Sequence, residues 1–227
     1  MKRSFLFLST AACLMLSFTV LKKNTRVVFF GDSITEAGVQ PGGYISQMRD
    51  SLTTRKLGDQ FDLVGAGVGG NKVYDLYLRL ESDVLDQKPK IVVIYVGVND
   101  VWHKQLFGTG TDPDKFKKFY DALISKMQRK KMAVILCTPA CIGEKKGGVN
   151  PMDSDLDAYA QIIRDLAKEK NCAICDFRQA FKEYGASHND DNLDKNILTT
   201  DGVHLNQKGN KLVAEMLLNR IETLSAN

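Results

Sequence analysis

The run Ile91-Val92-Val93-Ile94 is apolar without a break. A strand built from it must be covered on both faces, because a sheet with one wet face shows a polar residue at every second position. Similar short runs, rich in β-branched and aromatic residues, occur at 26–30, 61–66, 133–138 and 173–177, and the third extends over 91–96. Between them, apolar residues recur at helical spacing over 44–54, 73–87, 114–130 and 154–170, and a last helical stretch spans 207–224. Strands alternating with helices predict an α/β three-layer sandwich, a five-stranded parallel sheet with helices on both faces. No repeat, low-complexity tract or linker divides it. The glycine- and lysine-rich stretch 143–150 and the polar stretch 189–198 read as surface loops.

The first 23 residues do not share this pattern. Lys2 and Arg3 precede an apolar run over residues 5–21, and Lys22 and Lys23 follow it. A basic start before an apolar run predicts an export signal or an uncleaved membrane anchor over 1–23, with residues 24–227 as one domain. Thr10-Ala11-Ala12-Cys13 partly resembles a lipoprotein cleavage box, although it lies early in the run. The expected location is exported, periplasmic or extracellular, with membrane attachment through residues 5–21 left open. The formal net charge of +4 comes entirely from the four bases of this segment, which holds no acid. The rest of the chain is neutral and has no global field to attract nucleic acid. The pairs Lys117-Lys118 and Lys130-Lys131 read as a solvated helix face.

In a parallel α/β sheet, ligands bind beyond the carboxyl ends of the strands. Gly31-Asp32-Ser33 follows the first strand, Gly67 to Asn71 the second, and Gly97-Val98-Asn99-Asp100 the third. Asp201-Gly202-Val203-His204 precedes the last helix. Acyl transfer needs a serine, a histidine to take its proton, a carboxylate to orient that histidine, and donors for the oxyanion. Ser33 on a strand-to-helix turn, with Asp201 and His204 three residues apart, supplies the first three. The N–H of Ser33, the unhindered N–H of Gly70 and the amide of Asn99 supply the donors. Each residue taken alone has a plainer reading: Ser33 as a helix N-cap, Asn99 and Asp201-Gly202 as turn residues, His204 as a capping or partly buried histidine. Their convergence on one sheet end favours chemistry.

Phe30-Gly31-Asp32-Ser33-Ile34-Thr35-Glu36 resembles the first block of the SGNH hydrolases, the GDSL esterase/lipase family. Val64 to Gly70 resembles the second block, Gly97-Val98-Asn99-Asp100 the third, and Asp201-Gly202-Val203-His204-Leu205 the last. In the second block Gly65 stands where the family often has asparagine. The resemblance runs from about Val27 to the end of the chain. It implies a flavodoxin-like sheet, no cofactor, and hydrolysis of esters such as acetyl groups on sugars or acyl chains on lipids. It assigns Ser33, Asp201 and His204 to the triad and Ser33, Gly70 and Asn99 to the oxyanion hole. The absence of any G-x-S-x-G argues against the α/β-hydrolase elbow. The expected partner is a small-molecule or carbohydrate ester. A lysophospholipase or thioesterase near the membrane is the rival enzyme, and a non-catalytic surface or carbohydrate-binding domain is the rival of another class.

Trp102 and His103 follow the third block directly and are candidate substrate contacts, with packing under the loop as the plainer reading. Asp32 and Asp100 read as loop ties, and His188 as solvated. Cys137, Cys141, Cys172 and Cys175 invite a zinc reading. Placement disfavours it, since Cys172 and Cys175 should face opposite sides of a strand. No metal is expected, and one disulfide or buried thiols both remain open.

Overall fold

The computed structural model describes residues 24–226; residues 1–23, read above as an export signal or membrane anchor, lie outside them together with Cys13. The apolar runs form five parallel strands, β1 (Thr25–Gly31), β2 (Phe61–Gly67), β3 (Ile91–Tyr95), β4 (Ala133–Cys137) and β5 (Ala173–Cys175). They lie in the order β2-β1-β3-β4-β5, the flavodoxin-like arrangement. Val28 pairs with Val64 on one side and Val92 on the other, so β1 is central to the site end of the sheet.

The period of two along each strand divides the core in half. Val27, Phe29, Ile91, Val93 and Ile135 face one side, against α2 (Tyr44–Thr54) and α8 (Gln207–Ala226). Val28, Phe30, Val92, Ile94 and Val134 face the other, against α3 (Val73–Leu80), α5 (Pro113–Arg129) and α6 (Asp153–Glu169). Helix α5 shows why these segments are helical. Pro113 sits at its first position, and Phe116, Tyr120, Leu123, Ile124 and Met127 make one stripe, all fully buried. Each such side chain contributes about 1.5–3 kcal/mol on burial.

The structure departs from the sequence pattern in several places. The stretch 73–87 is not one α-helix: α3 ends at Leu80 and passes into a wider turn over Glu81–Leu85. Three further α-helices appear among the described residues, α1 (Ser33–Gly38), α4 (Val98–Phe107) and α7 (Phe177–His188). The last strand stops at Cys175 rather than running to 177, because the Asp176 carboxylate accepts from the Gln179 N–H at 3.2 Å and opens α7. The stretches 143–150 and 189–198 are not independent surface loops. The Glu144 N–H donates to the Asp194 carbonyl at 2.9 Å, and the Lys146 N–H to Asn192 Oδ1 at 2.7 Å. Cys172 packs on one face of the sheet and Cys175 on the other, beside Cys137 in the neighbouring strand. All four described cysteines are free thiols.

Under α7 lies a buried ion cluster. The Arg178 side chain is 3% exposed and donates to Asp153 at 2.6 Å and Asp157 at 2.7 Å. It also donates to the Ala140 carbonyl at 3.2 Å. Removing one member of such a cluster strands the other charge. Arg178→Ala should therefore lower unfolding free energy by about 3–5 kcal/mol, read as a shift of the urea midpoint.

Candidate active site

The nucleophile candidate sits where β1 hands over to α1. Asp32, not Ser33, is the N-cap: its Oδ1 accepts from the Ile34 N–H at 3.0 Å. Ser33 is therefore the first helical residue, its hydroxyl free to face outward and its N–H among the first-turn donors that have no intrahelical acceptor. Ser33 Oγ lies 3.0 Å from His204 Nε2. On the far side of the ring, His204 Nδ1 lies 2.7 Å from Asp201 Oδ2. A carboxylate only accepts, so Nδ1 carries the proton and Nε2 is left with the lone pair that faces the serine.

Asp201 is held by its own turn. Its Oδ1 accepts from the N–H groups of Val203 at 2.9 Å and His204 at 2.8 Å. Partial burial works to raise its pKa, but the imidazole and these two N–H groups outweigh it and leave Asp201 below the ordinary carboxylate value. The group stays ionised where the triad needs it. His204 and Asp201 side chains are 38% and 49% exposed, so the site opens directly to solvent.

Gly70 and Asn99 follow β2 and β3, the two strands that flank β1. Gly70 has a φ of +73°, and a Cβ built there would meet only His103, at 3.7 Å. Its N–H can therefore be approached closely. Asn99 lies not in a loop but in the first turn of α4, 2% exposed. One amide hydrogen goes to the Asn71 carbonyl at 3.1 Å, which fixes the plane and leaves the second for a ligand. Asp100 accepts from the Val73 N–H at 3.2 Å, tying the third block to α3.

Sequence reasoning missed Arg79. Its guanidinium donates to the carbonyls of Gly31 at 2.6 Å and Ala66 at 3.0 Å, and to Asn71 Oδ1 at 2.7 Å. It thus satisfies the ends of β1 and β2 and holds the Gly70 loop. In the sequence it is one arginine on a helix, and only the strand order shows what it reaches.

Trp102 and His103 are both half-buried in α4. The Trp102 ring stands 6.4 Å from that of His204 at 65°, and its inner edge packs on the core. His103 stands 5.3 Å from Phe107, which is 66% exposed and was not singled out from sequence. Burial and the Lys72 charge lower the His103 pKa. A cavity of about 430 Å³ is lined by Glu144, Asn150, Arg178 and Phe181 among others, and by none of the triad residues.

A model of the GDSL-like lipase/acylhydrolase family matches residues 29–212. The chain belongs to that family. Among its relatives, an acetylxylan esterase of Geobacillus stearothermophilus is 28% identical over 211 residues, 86% of this chain and 93% of that protein. The crystal structure of an acetyl xylan esterase, AlAXEase, superposes with a TM-score of 0.85 at 54% identity, over 86% of this chain and 98% of that one. An uncharacterized lipoprotein of Bacillus subtilis (strain 168), YqeF, is 27% identical over 216 residues, 83% of this chain and 86% of that protein. Structures of the Geobacillus enzyme include catalytic mutants in which a serine, a histidine or an aspartate is replaced by alanine. This GDSL-type chain is a hydrolase of ester bonds.

Two buried carboxylates beside the triad give the fold a pH signature. Burial, aided by the charge of Asp100, raises Asp32 to about 7; burial likewise raises Asp100 to about 7. The ordinary value is 3.8. Between those limits the folded chain holds protons that the unfolded chain has released, so stability falls as pH rises through the window. Asp32→Asn keeps an acceptor for the Ile34 N–H and cannot ionise. Its stability should decline less between pH about 5 and 8 than that of the parent, as read from urea midpoints at the two pH values.

Proposed function

We propose that this enzyme removes acetyl groups from carbohydrate, with Ser33 as nucleophile, His204 as base and Asp201 as its orienting partner. The observation that carries the proposal is the relay from Ser33 Oγ through His204 to Asp201, at 3.0 and 2.7 Å, on an open surface.

Ser33 Oγ attacks the ester carbonyl carbon while its proton passes to His204 Nε2. The carbonyl oxygen becomes an oxyanion and takes hydrogen bonds from the N–H of Ser33, the N–H of Gly70 and the Asn99 amide. The imidazolium, stabilised by ionised Asp201, then protonates the leaving sugar oxygen. Water, deprotonated by His204, releases acetate and restores Ser33.

Three features support acetylated carbohydrate over a lipid or thioester. A small acyl group on a large polymer suits a triad whose base and its orienting carboxylate stand 38% and 49% exposed. A long acyl chain gains about 0.8 kcal/mol per buried CH₂ and calls for an enclosed apolar channel. From His204 outward, Trp102, His103 and Phe107 form a strip of rings along α4, a surface on which the C–H face of a sugar can rest. The relatives reported as acetylxylan esterases point the same way, and in the Geobacillus catalytic mutants the replaced aspartate and histidine stand three residues apart, as Asp201 and His204 do. The intact triad argues against a non-catalytic binding domain.

Ser33→Ala should fold normally and lose nearly all turnover of p-nitrophenyl acetate and acetylated xylan, with acetate release as the measure. Undiminished turnover would remove Ser33 from the mechanism. Asn99→Ala should lower kcat by about 10²–10³-fold with little change in KM, because its bond strengthens in the transition state. Across acetate, butyrate and palmitate esters, kcat/KM should fall with chain length; a maximum at palmitate would favour the lipid reading.

The proposal includes export by residues 1–23. The lysine- and arginine-flanked apolar run precedes β1, and every candidate site residue lies after it. A chain of residues 24–227 should be soluble and hydrolyse esters. Full-length protein expressed in cells should partition to the membrane or beyond it. Recovery of soluble cytoplasmic protein that keeps Met1 would defeat the export reading alone.

A further inference from the structure

The base and its carboxylate stand on a segment with little regular structure. From Asn189 to Asn206 the chain forms no strand or helix, only a single bridge between Thr199 and Leu205. Such a segment needs fixed points if His204 Nε2 is to stay 3.0 Å from Ser33 Oγ.

One side chain from elsewhere in the sequence supplies three of them. Glu144, in the connection between β4 and α6, turns its carboxylate toward the backbone just ahead of Asp201. Oε2 accepts from the Ile197 N–H at 2.9 Å, and Oε1 accepts from the N–H groups of Leu198 at 2.6 Å and Thr199 at 3.1 Å. Three consecutive N–H groups on one carboxylate define a concave anion nest. Leu198 and Thr199 are buried, so those donors have no water to fall back on. The main chain of Glu144 adds to the grip, its carbonyl accepting from Asn189 Nδ2 at 2.9 Å. Next to it, the Gly143 N–H donates to the Gly202 carbonyl at 2.9 Å, within the Asp201–His204 turn itself.

The nest leads directly to the triad. The Thr199 hydroxyl accepts from the Gly202 N–H at 3.0 Å, and the Thr200 N–H donates to the His204 carbonyl at 2.8 Å. We infer that Glu144 is a positioning residue for the reaction: its carboxylate fixes residues 197–199 and through them sets Asp201 and His204 against Ser33. The inference rests on the triad reading above. The Glu144 carboxylate binds backbone N–H groups ahead of Asp201 rather than a triad side chain, so its effect should fall on kcat rather than on binding. The sequence hides it, because Glu144 precedes Lys145-Lys146 in what reads as a polar surface loop.

The test compares Glu144→Ala, Glu144→Gln and Ser33→Ala with the parent on p-nitrophenyl acetate, each rate normalised to the folded fraction measured by circular dichroism. Glu144→Ala should lower kcat by about 10–100-fold at unchanged KM, since a misplacement of about 1 Å costs up to about 10²-fold. Glu144→Gln keeps one oxygen for Leu198 and Thr199 and loses the charge, so it should retain clearly more kcat than alanine. In the pH profile of kcat/KM, the acid limb should move to lower pH in Glu144→Ala, as the imidazolium loses its fixed carboxylate, and move less in Glu144→Gln. Parental kcat in folded Glu144→Ala overturns the inference, as does a raised KM at intact kcat. Equal kcat and equal limbs in the two variants would make the role one of charge alone and also overturn it. If the alanine variant does not fold, Glu144→Gln decides: reduced kcat at parental KM supports positioning, and parental kcat overturns it. Full activity in Ser33→Ala would instead overturn the triad reading, a distinct failure.

Discussion

A parallel sheet covered by helices on both faces can offer polar chemistry only at its ends. Here the covering is complete across the middle strands: Val27 to Phe30 and Val92 to Ile94 have no exposed surface. The backbone groups that emerge at the carboxyl end must then find partners, and the residues that satisfy them are the ones that shape the site. Arg79 takes carbonyls at the carboxyl ends of β1 and β2, and its Cζ lies 4.5 Å from the centre of the Phe30 ring. Asp32 caps the helix that carries Ser33, and Asp100 holds the start of α3. The donors proposed for the oxyanion stand on a framework held by hydrogen bonds within the chain, which is what electrostatic preorganisation requires.

That framework stores unfavourable electrostatics. Asp32 and Asp100 are 1% and 0% exposed, and the charge of Asp100 adds to the cost of ionising Asp32. Buried carboxylates of this kind are a poor choice for stability alone. Their value lies in short, rigid side chains that accept from backbone N–H groups at fixed points, and the hydrophobic core on either side supplies the stability they consume.

Much of this was legible in the chain. Unbroken apolar runs announced the covered strands, and the stripe through Phe116, Tyr120 and Leu123 announced α5, because burial writes its period directly into residue type. The triad was legible because Ser33, Asp201 and His204 each need a particular chemistry. The short helices α1, α4 and α7 were not, since the glycines and polar residues that open α1 and α4 serve the site and obscure the helical period. Asn99 consequently read as a loop residue although it lies in the first turn of α4. Glu144 and Arg79 were hidden for a different reason: their roles depend on segments distant in sequence, and no local spacing encodes such contacts. Glu144 and Leu198 stand 54 positions apart in the sequence.

Ser33 and His204 are separated by 171 positions. During synthesis the serine, its helix and both glycine-bearing loops leave the ribosome long before the histidine does, and the final helix that packs against α2 follows later still. A nascent chain therefore carries an unactivated serine alcohol for most of its synthesis. Competence arrives only with the last tenth of the polypeptide, so the order of translation itself keeps an esterase silent until its chain is nearly complete.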